Sequence, residues 1–393
     1  MSRETICIGM VGAGRACEVH MEAYRRVRGF TLRFKSITAG HDATARAGQE
    51  KYGFEQTVGS VEEMLADPEI DIVDLCSPPY THEDYTVKAL EAGKYVVCEK
   101  PLTGYFGKSG DTAPIGKTVS REAMYESVLK SLERVSKVVE AHPGHFMFAE
   151  HYVYAPAVQK TAEIIRKKGS KILCMKGEES LKGSSSRLAG EWDKTGGGSF
   201  IRVGNHPLSA IMYLKTVEAQ AAGEDVYIKS ITADMDTVTD AMNDYEHRHI
   251  FAQPVDVEDF STVVLTFSDG TKGIVMATDL LLGGSKNYVE VYCNDAVFYC
   301  NLTMHNALRT YFLDEQNLED VYISEMLPSK IGWNEPFLED IVMRGYINEM
   351  QDFIECAAYG REPLANFRLA YDTAKITYAA YMAAELGKRV EVQ

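Results

Sequence analysis

Residues 5–17 read Thr-Ile-Cys-Ile-Gly-Met-Val-Gly-Ala-Gly-Arg-Ala-Cys, an apolar run that ends in Gly12-Ala13-Gly14. The run over 5–11 predicts a buried parallel strand, and the helix after it should begin near Arg15. Gly12 and Gly14 allow a sharp turn and a close approach to a pyrophosphate, with the amides around Arg15 and Ala16 as donors at the helix N-terminus. Cys17 stands where the third glycine of such a turn would provide close helix–strand packing. A plain structural turn is the alternative reading.

Working outward, residues 31–39 suggest a second strand, 42–52 a helix, 60–66 a short helix and 70–76 a third strand. A Pro-Pro loop, a helix over 82–92 and a strand over 95–98 follow. This alternation predicts a doubly wound parallel sheet. Residues 104–120 break the rhythm with four glycines and a proline and read as an ordered excursion. A helix over 121–141 and a strand over 146–150 close a first domain, 1–150. The remainder, 151–393, carries strand candidates at 171–178, 226–235, 259–267, 271–279, 287–293 and 296–303. Short turns such as Ser268-Asp269-Gly270-Thr271 join them, which predicts an α+β domain with a mostly antiparallel sheet. Its helices are expected at 156–167, 204–215, 337–360 and 366–387, the C-terminal ones packing back toward the first domain.

A chain of 393 residues can build two cores, and 45% apolar with 25% charged residues is ordinary globular composition. The net charge of -16 argues against nucleic acid or an anionic membrane surface as partner. No uncharged apolar run reaches the roughly 18 residues of a membrane span. The eight cysteines lack CxxC spacing, so no zinc knuckle or dithiol centre is expected, and a reducing cytoplasm fits. The first strand begins by residue 5, which leaves no room for a secretory signal.

The chemistry-bearing residues lie at strand ends. Glu99-Lys100-Pro101 follows the strand over 95–98, which puts a cation where a doubly wound sheet keeps its ligand. Ser77-Pro78-Pro79, with His82 beyond it, shapes a rigid loop at the end of the third strand. A dinucleotide turn together with that lysine implies redox chemistry on a hydroxyl group. Ala39 occupies the place where an acid would hold the adenosine ribose, with His41 or Asp42 as substitutes. No arginine there matches a 2′-phosphate, so NAD is expected over NADP, which is not excluded. In Gly196-Gly197-Gly198-Ser199-Phe200-Ile201-Arg202-Val203-Gly204-Asn205-His206-Pro207, the glycines suggest close passage to a ligand. His206 at a helix start suits a general base, or merely a cap. Glu150, His151, Glu178, Glu179 and His206 contain metal-ligand types, but their spacing gives no support and no metal is expected. Glu150, His151, Glu179 and Asn205 are instead assigned to substrate hydroxyls or loop anchoring. Trp192, in a polar loop, suits stacking on a sugar ring.

These motifs together resemble the glucose–fructose oxidoreductase / inositol dehydrogenase (Gfo/Idh/MocA) family. The resemblance rests on Gly12-Ala13-Gly14, Cys76-Ser77-Pro78-Pro79-Tyr80-Thr81-His82, Glu99-Lys100-Pro101, the triple glycine before His206, and the C-terminal segment from Glu349 to Val392. It implies a Rossmann domain, a second α+β domain whose open sheet forms a homo-oligomer interface, a bound nicotinamide cofactor, and oxidation of a sugar or cyclitol hydroxyl. Lys100 and His206 would be its catalytic pair, converging on one alcohol from separate halves of the chain. Residues 101–107 resemble the bacterial branch that oxidises glycosides at the 3-hydroxyl. The family's aspartate four residues before the histidine is Arg202 here. Either another acid (Glu150, Glu179 or Asp193) orients the site, or Arg202 binds an anionic group of the substrate, or it points away. A redox-neutral enzyme that recycles bound NAD, an eliminating glycosidase and a non-catalytic NAD-binding protein are the alternative functions.

Overall fold

The computed structural model describes residues 4–303, 308, 310–323, 327, 329–336 and 339–392. The chain divides into two compact units. One comprises Met1–Phe106, Glu122–Tyr154 and Gly345–Lys375; the other Gly107–Arg121, Ala155–Arg344 and Ile376–Gln393. In this division the excursion and the stretch 345–375 change sides relative to a single cut at 150/151.

The first unit is a Rossmann domain. Strands β1 (Thr5–Val11), β2 (Thr31–Thr38), β3 (Gln56–Thr57), β4 (Ile72–Leu75), β5 (Tyr95–Glu99) and β6 (Phe146–Ala149) form one all-parallel sheet in the order β3-β2-β1-β4-β5-β6. Its connections are α1 (Arg15–Tyr24), α2 (Asp42–Tyr52), α3 (Val61–Leu65), α4 (His82–Glu91) and α5 (Arg121–Ala141). The central strands are apolar because helices cover both faces: Ile6, Ile8, Met10, Ile72, Val73, Val96 and Val97 have no exposed surface. Each such side chain stabilises the domain by about 2 kcal/mol. Strand order reverses between β1 and β4, so the carboxyl ends of β1, β4 and β5 place Gly12, Ser77 and Lys100 on one edge of the sheet.

The second unit is α+β. Strands β7 (Ile172–Ser180), β8 (Ile228–Asp236), β9 (Phe260–Phe267), β10 (Lys272–Thr278), β11 (Lys286–Cys293) and β12 (Val297–Asn301) build its sheet; β13 (Thr310–Phe312) and β14 (Gly332–Asn334) form a separate hairpin. With β15 (Val390–Glu391) at one edge, the order is β12-β11-β7-β10-β9-β8-β15. Only β7 and β10 run parallel, so the sheet is mostly antiparallel. Helices α6 (Pro156–Lys168) and α7 (Asn205–Ala222) pack together, and α7 also lies on β7.

The helix expected over 337–360 is interrupted; its first two positions lie outside the described residues. A turn at Asp340–Met343 is separated from α8 (Tyr346–Tyr359) by Gly345 at φ +99°, a left-handed conformation that ends one helix and restarts the chain in a new direction. Helix α8 packs on α1, and α9 (Phe367–Leu386) follows. Among the described residues no helix is long and apolar enough to cross a membrane.

Candidate active site

In the first unit, β1 runs into Gly12 at φ +104°, where a Cβ would lie 2.4 Å from the Cys76 carbonyl oxygen. Only glycine fits there. Gly14 is different: its φ is −90°, a Cβ would meet nothing within 4 Å, and no side chain caps α1, whose N-cap it is. The open space at an uncapped helix start is a cradle that suits a pyrophosphate, and with it NAD. Arg15 is exposed and paired with Glu18 at 2.8 Å; Ala16 follows it in the first turn. Cys17 is fully buried, and burial, reinforced by Asp74, raises its thiol to about 12. It packs inertly in the place of the third glycine. Beyond β2, His41 caps α2 and Asp42 opens it, both exposed.

The Ser77 hydroxyl lies 2.6 Å from that of Thr81, and Thr81 donates to the Pro78 carbonyl at 2.7 Å. His82 is buried between two carbonyls, Nδ1 2.7 Å from Pro101 O and Nε2 2.9 Å from Ser77 O. It ties the loop after β4 to the loop after β5, and burial holds its imidazole below the usual value. Glu99 ends β5, and its Oε2 accepts the Lys100 N–H at 2.9 Å. Glu150 follows β6 with no exposed surface, and its Oε1 accepts the Tyr152 N–H at 3.4 Å. His151 is stacked on Tyr346, with centroids 4.0 Å apart.

Beneath this edge lies a buried cluster that the sequence reading missed. His20, Asp74 and Cys76 are ligand types within 4.8 Å of one another. Their atoms are engaged in hydrogen bonds with each other and with Tyr24, and burial keeps the Cys76 thiol well above its usual value, so the cluster reads as a proton-sharing network.

In the second unit, His206 is 5% exposed and is the second residue of α7, behind a π-helical turn at Phe200–Gly204. Asn205 Oδ1 accepts the Thr377 hydroxyl at 2.8 Å. The triple glycine, expected from sequence to pass close to a ligand, passes close to the protein's own groups. A Cβ on Gly197 would lie 2.2 Å from the Tyr381 hydroxyl, and one on Gly198 1.8 Å from the Glu258 carbonyl oxygen. Tyr378 donates to the Gly196 carbonyl at 2.7 Å.

Arg202 is neutralised by an acid that sequence reading did not nominate. Its Nη1 and Nη2 meet the carboxylate of Asp279 at 2.8 and 3.2 Å, with both side chains largely buried. Asp279 lies just past β10, and its sequence distance from Arg202 hid the pairing. Glu179 is paired with Arg344 at 3.1 Å, Glu178 with Lys286 at 2.8 Å, and Asp193 with Lys194 at 2.6 Å. Trp192 is 1% exposed. The Arg121 guanidinium sits 3.8 Å from the centre of its ring, and Tyr381 packs 4.9 Å away, so the indole that sequence reading offered to a sugar stands against the protein's own groups. The loop beside it is held by Asp256, whose carboxylate accepts the amide N–H of Trp192 at 2.7 Å and that of Gly116, in the excursion, at 2.8 Å.

Comparison with known proteins places these features. Residues 6–110 match the model of the GFO_IDH_MocA oxidoreductase family, NAD-binding Rossmann fold, and residues 178–299 match the GFO/IDH/MocA C-terminal domain. A levoglucosan dehydrogenase from Pseudarthrobacter phenanthrenivorans is 24% identical across 99% of this chain and 98% of its own length. A D-glucoside 3-dehydrogenase from Escherichia coli K12 is 32% identical, over 26% of this chain and 28% of its own. The fold matches the crystal structure of GenD2 from gentamicin A biosynthesis in complex with NAD, with a TM-score of 0.78, 19% identity and coverage of 100% of this chain and 98% of that one.

Proposed function

This chain belongs to the Gfo/Idh/MocA oxidoreductase family, and from that premise we propose that it oxidises a secondary hydroxyl of a sugar, cyclitol or glycoside to a ketone with NAD. The observation that carries this reading is end-to-end similarity to a levoglucosan dehydrogenase, combined with Lys100 at the ligand edge of the NAD-binding sheet. The relatives are named as dehydrogenases, which favours this reading over cofactor recycling, elimination or a non-catalytic role.

Gly12, Gly14 and the first turn of α1 hold the dinucleotide phosphates; Ser77, Pro78 and the segment Glu99–Lys100 border its reactive half. The chemistry NAD supplies when bound is acceptance of a hydride from the carbinol carbon. Lys100 holds the substrate oxygen and stabilises the negative charge that builds on it. His206 accepts the hydroxyl proton, so that alcohol and NAD⁺ yield ketone, NADH and one proton. Glu150, His151, Glu179 and Asn205 are assigned to substrate hydroxyls or to holding the loops that meet them. Arg202, already neutralised by Asp279, favours an uncharged polyol over a sugar acid.

A second copy of the chain is the proposed partner, through the exposed face of the second-unit sheet, where Tyr299 and Val297 stand beside Tyr292 and Lys176. Light scattering of the purified protein reads this directly. The eight unpaired cysteines fit a cytoplasmic location. The functional test is NADH production across free sugars, glycosides, cyclitols and sugar acids, with Lys100→Ala and His206→Ala alongside. Each variant should lose about 10²–10⁴-fold in kcat; near-normal turnover in both sinks the assignment.

A further inference from the structure

We propose that His20 is a positioning residue for Lys100: an imidazolium clamped between Asp74 and Glu99 that fixes the Glu99 carboxylate and, through it, the backbone from which Lys100 projects. The role of Lys100 rests on the function proposed above; the clamp itself rests on geometry. His20, on α1, has no exposed surface. Its Nδ1 lies 2.9 Å from Oδ2 of Asp74, and its Nε2 lies 3.3 Å from Oε1 of Glu99. The second oxygen of Glu99 accepts the Lys100 N–H at 2.9 Å. The two Glu99 oxygens therefore join the helix after the glycine turn to the residue that carries the amine.

The charge state follows from the partners. Ionised carboxylates only accept hydrogen bonds, and a neutral imidazole has a single N–H. Nδ1 is hydrogen-bonded to Asp74, whereas Nε2 lies near Glu99 outside hydrogen-bond geometry, so the link to Glu99 is one of charge, and two flanking carboxylates favour the protonated ring. Asp74 is tied down from its other sides: Tyr24 donates to Oδ2 at 2.9 Å, and the Cys76 thiol donates to Oδ1 at 3.4 Å. Burial, the largest single influence, would lower the His20 pKa, but Asp74 and Cys76 together outweigh it and the net direction is well upward. Burial alone would likewise raise Glu99; the neighbouring His20 reverses this and brings it below the usual range, with Lys100 and His82 contributing.

The remaining titratable groups around His20 come from several elements: Cys17 on α1, Glu349 on α8, and Glu150 behind β6. Glu349 has no exposed surface and no hydrogen bond on either oxygen, and burial drives its carboxyl far upward. Burial thus favours its neutral form, which leaves Asp74 and Glu99 as the carboxylates on either side of the ring. Buried ionic groups seldom add stability over an apolar packing of the same volume. Their placement directly under Lys100 is accounted for by control of that residue.

Without His20, Glu99 loses its buried cation, and of the charges that hold its pKa down Lys100 and His82 are left, so its pull falls more on the Lys100 ammonium. The amine is then held more tightly protonated and withheld from the substrate oxygen. The test uses the full chain with NADH bound. In ¹⁵N-histidine-labelled protein, His20, assigned by its loss in His20→Gln, should show both ring nitrogens protonated at pH 8; a neutral tautomer there overturns the proposal. In ¹³C-dimethyl-lysine spectra, the proton affinity of Lys100 should rise about tenfold in His20→Gln, a change of roughly one pKa unit. An unchanged midpoint overturns it. Glu99→Gln, which removes the intervening charge and keeps the side-chain shape, should abolish the response of Lys100 to His20 and serves if His20→Gln does not fold. In turnover, kcat should fall at least tenfold while the NADH Kd stays within threefold; parallel losses in both mark a merely structural role and count against the clamp. If the wild type oxidises no sugar, the proposed function fails while the two NMR readouts still decide this inference.

Discussion

Gly14→Ala separates ligand room from structural necessity. The φ of Gly14 is ordinary for alanine and its Cβ would meet nothing within 4 Å, so the folded chain gains no clash. Alanine is a poorer N-cap than glycine, by a few tenths to about 1 kcal/mol. Lower entropy of the unfolded chain offsets this by about 0.4–1 kcal/mol. Stability should therefore stay within about 1 kcal/mol of the wild type. Cofactor affinity should not. If the space beside Gly14 admits a pyrophosphate, the new methyl displaces it from the first amides of α1 and weakens one or two charge-assisted hydrogen bonds at about 1.5–3 kcal/mol each. That is about a tenfold rise in NADH Kd for one bond at the low end and about ten-thousandfold for two at the high end. Gly12→Ala is the control: its methyl meets a backbone oxygen at 2.4 Å at a φ of +104°, so it should unfold the domain or destabilise it by several kcal/mol. Urea unfolding and NADH fluorescence titration read both variants. A Gly14→Ala protein that binds NADH like the wild type refutes the cradle, however stable it is.

Removing Asp279 by Asp279→Ala should cost about 3 kcal/mol, because it strands a mostly buried guanidinium, whereas Arg202→Ala/Asp279→Ala should cost less than the two single changes summed; strictly additive losses in chemical denaturation argue against the pairing. Glu349→Gln tests the buried carboxyl through pH: its folded pKa is raised, so its contribution is complete below the unfolded value of about 4.5 and is lost as pH rises toward the folded one. Wild-type stability should fall relative to the glutamine variant by up to about 1.4 kcal/mol per pH unit above that point, measured by urea melts at pH 5.5 and 7.5, and parallel curves would remove the claim. Trp192→Phe should lower stability by about 1–2 kcal/mol through the weakened Arg121 stack and packing loss, yet leave substrate KM unchanged; a large KM increase would restore the indole to the sugar.

The doubly wound sheet was legible because its strands are buried on both faces and so spell continuous apolar runs, and the strand ends locate Gly12, Ser77 and Lys100 without further information. What chain order concealed was pairing. Asp74 sits inside an apolar strand and reads as an interruption until His20, 54 residues earlier, closes on it. Arg202 reads as an unexplained charge because Asp279 lies 77 residues away. The triple glycine and Trp192 were read from their polar, flexible-looking surroundings. Their partners, Tyr381 and Arg121, come from distant segments, which chain order does not show.

The shared carboxylate of Asp256 bears on how this chain could be redesigned. Pruning residues 107–121 would withdraw the Gly116 amide, leave an oxygen bare in a buried place, and strip Arg121 from the indole beneath it. The excursion is thus a foundation stone of its unit, and transplanting it onto a cousin would require the aspartate and the tryptophan to travel with it.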